Sequence, residues 1–265
     1  MTGTPRQAVR MLLAQKRILV DGLPATDGQM VIDQFAQVIF DGRILQQNTP
    51  VYLMLHKPAG VVSATSDEQH DTVLDLLRRS MNDSGLNDSG LNDSDLAGLH
   101  IAGRLDLHSS GLLLLTNDGN WSRALMAPDT KVAKTYEVTV AHPVSDECIH
   151  AFAAGMYFAF EDITTQPARL ERLSPCTARV ILTEGKYHQI KRMFGRFRNP
   201  VLALHRTHIG TIALDPALLP GQFRALTAAE VAQASGTVSA KEGMREISAN
   251  QSSSSGESSR QSNSG

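Results

Sequence analysis

At 265 residues, 42% hydrophobic and 20% charged, the chain has the make-up of an ordinary globular protein and is long enough to bury a sizeable core. Two cysteines, Cys148 and Cys176, exclude a disulfide framework and a cysteine metal cluster, and the absence of any long apolar run excludes a membrane span, so a cytoplasmic protein is expected. The net charge of −2 hides a split: residues 66–96 hold eight acids against two bases, whereas residues 184–210 hold six bases against one acid, so an acidic partner stays possible.

Residues 6–17, RQAVRMLLAQKR, place apolar side chains at helical spacing among Arg6, Arg10, Lys16 and Arg17, which predicts a short amphipathic helix, its cations being either solvated or partnered. RILVDGLPA and QVIFDGRIL each set Asp-Gly between apolar segments, a hairpin signal, so a helix-and-hairpin module is expected over residues 1–47. VYLMLHKPAGVVSA (51–64) reads as a strand, a Lys-Pro-Ala-Gly turn and a second strand, opening a main domain at 51–232. The five-residue stutter NDSGL, NDSGL, NDSDL within 80–96 is a low-complexity loop rather than a solenoid repeat. GRLDLHSSGLLLLTNDG follows, with a Ser-Ser-Gly turn at 109–111 feeding a leucine strand.

A strand over KTYEVTVAHPV (134–144) and a helix over 145–155 come next. Two strands joined by a turn span 168–185, YHQIKRMFGRF (187–197) has helical spacing, and 201–214 is strand-like again. Strands outnumber helices without regular alternation, so the class is α+β with a mostly antiparallel sheet. Residues 236–265 form a Ser-rich tail expected to be disordered, with nine serines in its last 18 positions.

No His-x-x-x-His, Cys-x-x-Cys, dinucleotide fingerprint, phosphate loop or Gly-x-Ser-x-Gly elbow occurs, so neither metal nor cofactor is expected. What remains is one carboxylate in basic surroundings. Asp106, with Arg104 before it, can act as nucleophile or base if a cation such as Lys191 or Arg192 holds it ionised; equally, it can be a turn aspartate bonding its own backbone. Tyr136 is either a strand aromatic or a ring that stacks on an unpaired base and moves a proton. GKYHQIKRM is either a surface helix or a phosphate-facing one.

Together, GRLD (103–106) before SSGLLLLTNDG, KTY (134–136), and EGKYHQIKRM (184–193) before LHRTHIG resemble the ordered motifs of the RsuA family of pseudouridine synthases, over about residues 6–230. YHQIK at 187–191 resembles members acting on small-subunit ribosomal RNA, large-subunit members tending to carry Asn-Arg-Gln or Asn-Arg-Glu. The resemblance implies a small S4-like RNA-binding module and a catalytic domain with a central mixed, mostly antiparallel sheet. The family's usual opening, a Met-Arg-Leu-Asp-Lys-like first helix, is not found, so either a misplaced start or a truncated module is expected. By the same resemblance Asp106 is the catalytic carboxylate, supported by Arg104, Tyr136 and Lys191, with Arg10, Lys16, Arg17, Lys57, His188, Arg192 and Arg206 contacting RNA. The implied enzyme is a cofactor-free, metal-free monomer that isomerises a uridine of 16S ribosomal RNA. Alternatives are a synthase acting on large-subunit RNA and a non-catalytic ribosome-assembly factor; a glycoside hydrolase is disfavoured because no second acid accompanies Asp106.

Overall fold

The structure, a computed structural model, describes residues 5–82, 91 and 93–234. The chain divides into two compact units, residues 1–50 and 51–265. The Ser-rich tail lies outside the described residues, as do 83–90 and 92 of the low-complexity stretch.

In the first unit, α1 (Arg6–Ala14) precedes a four-stranded antiparallel sheet of order β2-β1-β3-β4, formed by β1 (Ile18–Val20), β2 (Leu23–Pro24), β3 (Val38–Phe40) and β4 (Arg43–Gln46). Both hairpins turn on Asp-Gly pairs. Asp21 and Gly22 have φ of 50° and 78°, and Asp41 and Gly42 have 48° and 77°, two consecutive left-handed residues that match the right-handed twist of the strands. Arg17 pairs with the second of these aspartates and lies over the Phe40 ring at 5.4 Å.

The second unit is built on a nine-stranded sheet. Its main path is β11 (Arg169–Ser174), β12 (Thr177–Leu182), β8 (Lys134–Val140), β13 (Val201–Ile209), β7 (Ser110–Thr116), β5 (Tyr52–Lys57) and β15 (Phe223–Ala225). Two short strands join from the side, β6 (His100–Ala102) on β7 and β14 (Ile212–Ala213) on β13. Every pairing is antiparallel except β13 with β7. A separate hairpin consists of β9 (Tyr157–Phe158) and β10 (Ile163–Thr164). The helices include α2 (Val73–Asn82), α3 (Asp93–Ala97), α4 (Gly119–Met126), α5 (Asp146–Ala154) and α6 (Gln189–Gly195).

The sheet is covered on both faces, which explains the four consecutive leucines of β7. Alternation sends Leu113 and Leu115 into one core with Leu53, Val138, Phe152 and Phe194, and Leu112 and Leu114 into the other with Met54, Trp121 and Ile209. A strand buried on both sides reads as a continuous apolar run instead of an alternating one.

Two local expectations are corrected. Residues 61–64 form no strand, and only an isolated bridge joins Val62 to Thr72. The segment after Gly60 is instead a strap across the loop from 103 to 109. The Gly60 amide donates to the Leu107 carbonyl at 2.8 Å, and the Ser63 hydroxyl donates to the Leu105 carbonyl at 2.9 Å while accepting from its amide at 3.1 Å. Nor is Gly111 a turn residue. It sits inside β7 with φ of 108°, where a Cβ would come within 2.2 Å of the Arg206 carbonyl oxygen, so only glycine lets β7 and β13 meet there.

Candidate active site

Asp106 lies on the loop between β6 and β7, and α6 brings its partners. Lys191 Nζ is 3.0 Å from Asp106 Oδ2, and His188 Nε2 is 3.5 Å from Oδ1. One carboxylate oxygen faces a lysine and the other a histidine, and both residues come from the start of a single helix.

The segment that presents them is itself pinned. Gln189, 5% exposed, donates to Glu184 Oε1 at 2.6 Å and accepts the Lys186 amide at 3.0 Å; the Gln166 amide also donates to Glu184, at 2.8 Å. His188 takes a left-handed backbone, φ 48° and ψ 31°, which turns its ring toward Asp106 as the chain enters the helix. Ile190, Met193 and Phe194 anchor the opposite side of α6 in the core. Tyr187, largely exposed, stacks on the His188 ring at 3.9 Å and 21°.

The backbone carrying Asp106 is gripped by two cations that the sequence assigns to RNA, and here the structure corrects it. Lys57, fully buried, donates to the carbonyls of Ser109 (2.7 Å), Pro58 (2.9 Å), Asp106 (3.2 Å) and Leu107 (3.4 Å). Arg206, 2% exposed, donates from Nε to the Leu112 carbonyl at 2.8 Å, from Nη2 to Gly103 at 3.0 Å and from Nη1 to Arg104 at 3.3 Å. Their donors are spent on backbone carbonyls, all but that of Pro58 in the segment from 103 to 112, so they scaffold the aspartate. Burial pushes the Lys57 pKa down to about 8; Asp106 pulls it up and Arg206 pushes it further down.

The other expected RNA contacts divide. Arg192, expected to contact RNA, meets the β9–β10 hairpin, 2.5 Å from Glu161 and with its guanidinium 4.3 Å from the Phe158 ring. Arg10, Lys16 and Arg17 are exposed on the first unit, Arg17 already paired with Asp41. Arg104 is exposed at the site, and Tyr136 is 9% exposed in its wall, with the Arg206 guanidinium 6.0 Å from its ring.

Asp106, Arg104, Tyr136, Lys191, His188 and Arg206 all line one cavity of about 690 Å³. It also takes in Lys134, Lys186 and Ser109; its lining acids are Asp106 and Glu184, so cations outnumber them. Such a cavity accepts an anionic ligand and sets one immobilised carboxylate against it. Sequence reasoning missed Lys134, Ser109, Gln189 and Glu184; the signal for Lys134 was its place two residues before Tyr136, at the inward parity of β8. Among the described residues, no group of three or more His, Cys, Asp and Glu side chains is arranged to hold a metal.

Comparison with known proteins points one way. A family model described as RNA pseudouridylate synthase matches residues 51–195. The chain is 47% identical over 227 residues to a protein of Pseudomonas aeruginosa named ribosomal small subunit pseudouridine synthase A, covering 85% of this chain and 93% of that one. It is 39% identical over 231 residues to the Escherichia coli K12 protein of the same name, covering 87% and 94%. A crystal structure of a pseudouridylate synthase matches with a TM-score of 0.63 at 33% identity, over 88% of this chain and 94% of that one.

Proposed function

The chain belongs to the RNA pseudouridylate synthase family, and from that premise we propose that it isomerises a uridine of small-subunit ribosomal RNA to pseudouridine, with Asp106 as the essential carboxylate. The observation that carries this reading is the grip on Asp106, one oxygen facing Lys191 and the other His188, inside a cation-lined cavity. The RNA class is carried by the relatives named for the small subunit.

The target base first leaves its stack, at a cost of a few kcal/mol. Arg104, exposed at the site, holds the RNA open where the base departs. Tyr136 packs on the uracil from the cavity wall and assists proton transfer. Asp106 then attacks C1′ or removes a ribose proton and the C1′–N1 bond breaks; the ring turns, C5 bonds to C1′ as the carboxylate leaves or the ribose proton is returned, C5 loses its proton and N1 gains one. Lys191 and His188 fix the direction in which the carboxylate points, and neither cofactor nor energy source is needed. Arg10, Lys16 and Arg17 of the first unit, an S4-like module, add salt-dependent RNA contacts. The enzyme works as a cytoplasmic monomer.

Tritium release from small-subunit RNA labelled at uridine C5, followed by mapping of pseudouridines in a deletion strain, tests the reading. One pseudouridine should disappear from the small-subunit RNA. Its loss from large-subunit RNA instead would move the substrate, and no release by the intact protein would overturn the isomerase reading.

A further inference from the structure

Lys134 opens β8 and points to the same side as Tyr136 and Val138. Its side chain is 7% exposed and lines the cavity that holds Asp106. Unlike Lys57 and Arg206, it is not saturated by backbone carbonyls: Nζ has no hydrogen-bond or ion-pair partner among the described residues. The two acids lining the cavity are already engaged, Asp106 by Lys191 and His188, and Glu184 by Gln189, Lys186 and the Gln166 amide. Its charged neighbour Arg206 has the same sign, and burial together with Arg206 holds the Lys134 pKa below the ordinary lysine range. The same cavity contains a second unsatisfied group, the buried Ser109 hydroxyl, which has no hydrogen-bond partner among the described residues. An ammonium whose stem is buried and whose head meets no counter-charge is held at a cost, and such a cost persists where a ligand offsets it.

We propose that the counter-charge is the uracil ring itself: Lys134 is the cation that meets the base when its bond to ribose breaks. This rests on the isomerase reading above. The C1′–N1 electron pair passes to the ring, leaving a negative charge shared by N1, O2 and O4. C5 then bonds to C1′, the C5 hydrogen leaves as a proton and N1 takes one up, so substrate and product are equally neutral. Charge on the base exists only between them. An ammonium fixed in the wall therefore favours the bond-breaking transition state over the ground state, as a preorganised donor does. A backbone phosphate fits less well, because it is charged throughout and stays with the ribose chain, whereas Lys134 stands on the same face of β8 as Tyr136 and lines the same cavity.

The test uses the full chain with Lys134→Met, Lys134→Gln and Lys134→Arg on small-subunit RNA. Lys134→Met should lower kcat about 100-fold or more, the scale of losing one preorganised donor. RNA affinity should stay within about threefold, Tm should hold or rise because an unpaired buried charge is gone, and Lys134→Arg should recover at least about tenfold of the loss. Four results overturn the proposal. The first is a kcat in Lys134→Met within about threefold of the wild type. The second is weakened binding with a shallower salt dependence and unchanged kcat, which marks a phosphate ligand. The third is a primary isotope effect with 5-deuterated uridine appearing in the variant, which marks a base for the C5 proton. The last is a lowered Tm with equal losses in all three substitutions; should Lys134→Met fail to fold, Lys134→Gln and Lys134→Arg decide by the same readouts. Wild-type turnover is measured alongside: its absence sinks the isomerase reading, while full turnover in both wild type and variant sinks this inference alone.

Discussion

Lys191 Nζ lies 3.0 Å from Asp106 Oδ2, although 85 positions of sequence separate them. The contact exists because two rigid elements converge. The strap at 58–63 and the buried cations Lys57 and Arg206 fix the loop of Asp106, while the Glu184–Gln189 clamp and the apolar side of α6 fix Lys191. Both ends of the ion pair are thus positioned by their protein neighbours. On the proposed reading, a carboxylate prepared in this way needs no reorientation before it reacts.

Asp106→Asn should abolish isomerisation while leaving RNA affinity within a few-fold, since the amide keeps the shape and loses the reactive oxygen. Single-turnover tritium release and filter binding on the same RNA read the two quantities. Appreciable turnover by the variant would remove Asp106 from the chemistry.

Lys191→Ala should lower kcat more than it weakens binding, by roughly 10- to 100-fold against a few-fold, because its ammonium faces the carboxylate. An equal rise in KM with unchanged kcat would mean that Lys191 serves the RNA and not Asp106.

Lys57 gives a pH dependence of opposite sign in two observables. With its folded pKa near 8 and its ordinary value at 10.5, the unfolded chain binds the extra proton between those limits, so the stability of the wild type relative to Lys57→Met should rise as pH climbs from about 8 to 10.5. Turnover should fall over the same rise, because the neutral amine grips the carbonyls of Asp106, Leu107 and Ser109 less well than the ammonium. Urea melts at pH 7 and 10, beside a kcat profile, check both directions. A stability difference that shrinks with pH contradicts the assignment.

Much of this was legible in the residues. The Asp-Gly hairpins, the leucine strand and α6 follow from turn chemistry and apolar period, and GRLD with YHQIK marked the two halves of the ion pair. The fate of the cations was not. Lys57 and Arg206 sit at inward parity with Leu55 and Leu204, but a lysine or arginine is assigned to the surface by default because burying a charge is costly. That default fails only where a loop turns several carbonyls toward one point, and nothing in a linear pattern reports such convergence. Likewise VVSA has strand composition, yet the turn at Gly60, with φ of 86°, and the Ser63 hydroxyl commit it to the Asp106 loop before it can join a sheet.

Gly111→Ala should be among the most damaging single-methyl additions in the protein. The added Cβ would fall 2.2 Å from the Arg206 carbonyl oxygen and 2.6 Å from its amide nitrogen, both backbone atoms that cannot rotate away, and the φ of 108° disfavours any L side chain. The parallel pairing of Arg206 with Gly111 must then open, and it is one of the two pairs in the only parallel ladder among the described strands of the sheet. A loss of about 3 kcal/mol or more is expected from overpacking and backbone strain together, read as a lower urea midpoint at unchanged slope. Because Arg206 also binds the carbonyls of Gly103 and Arg104, kcat should fall even where the variant stays folded. A variant with wild-type midpoint and turnover would show that β7 and β13 do not approach each other this closely.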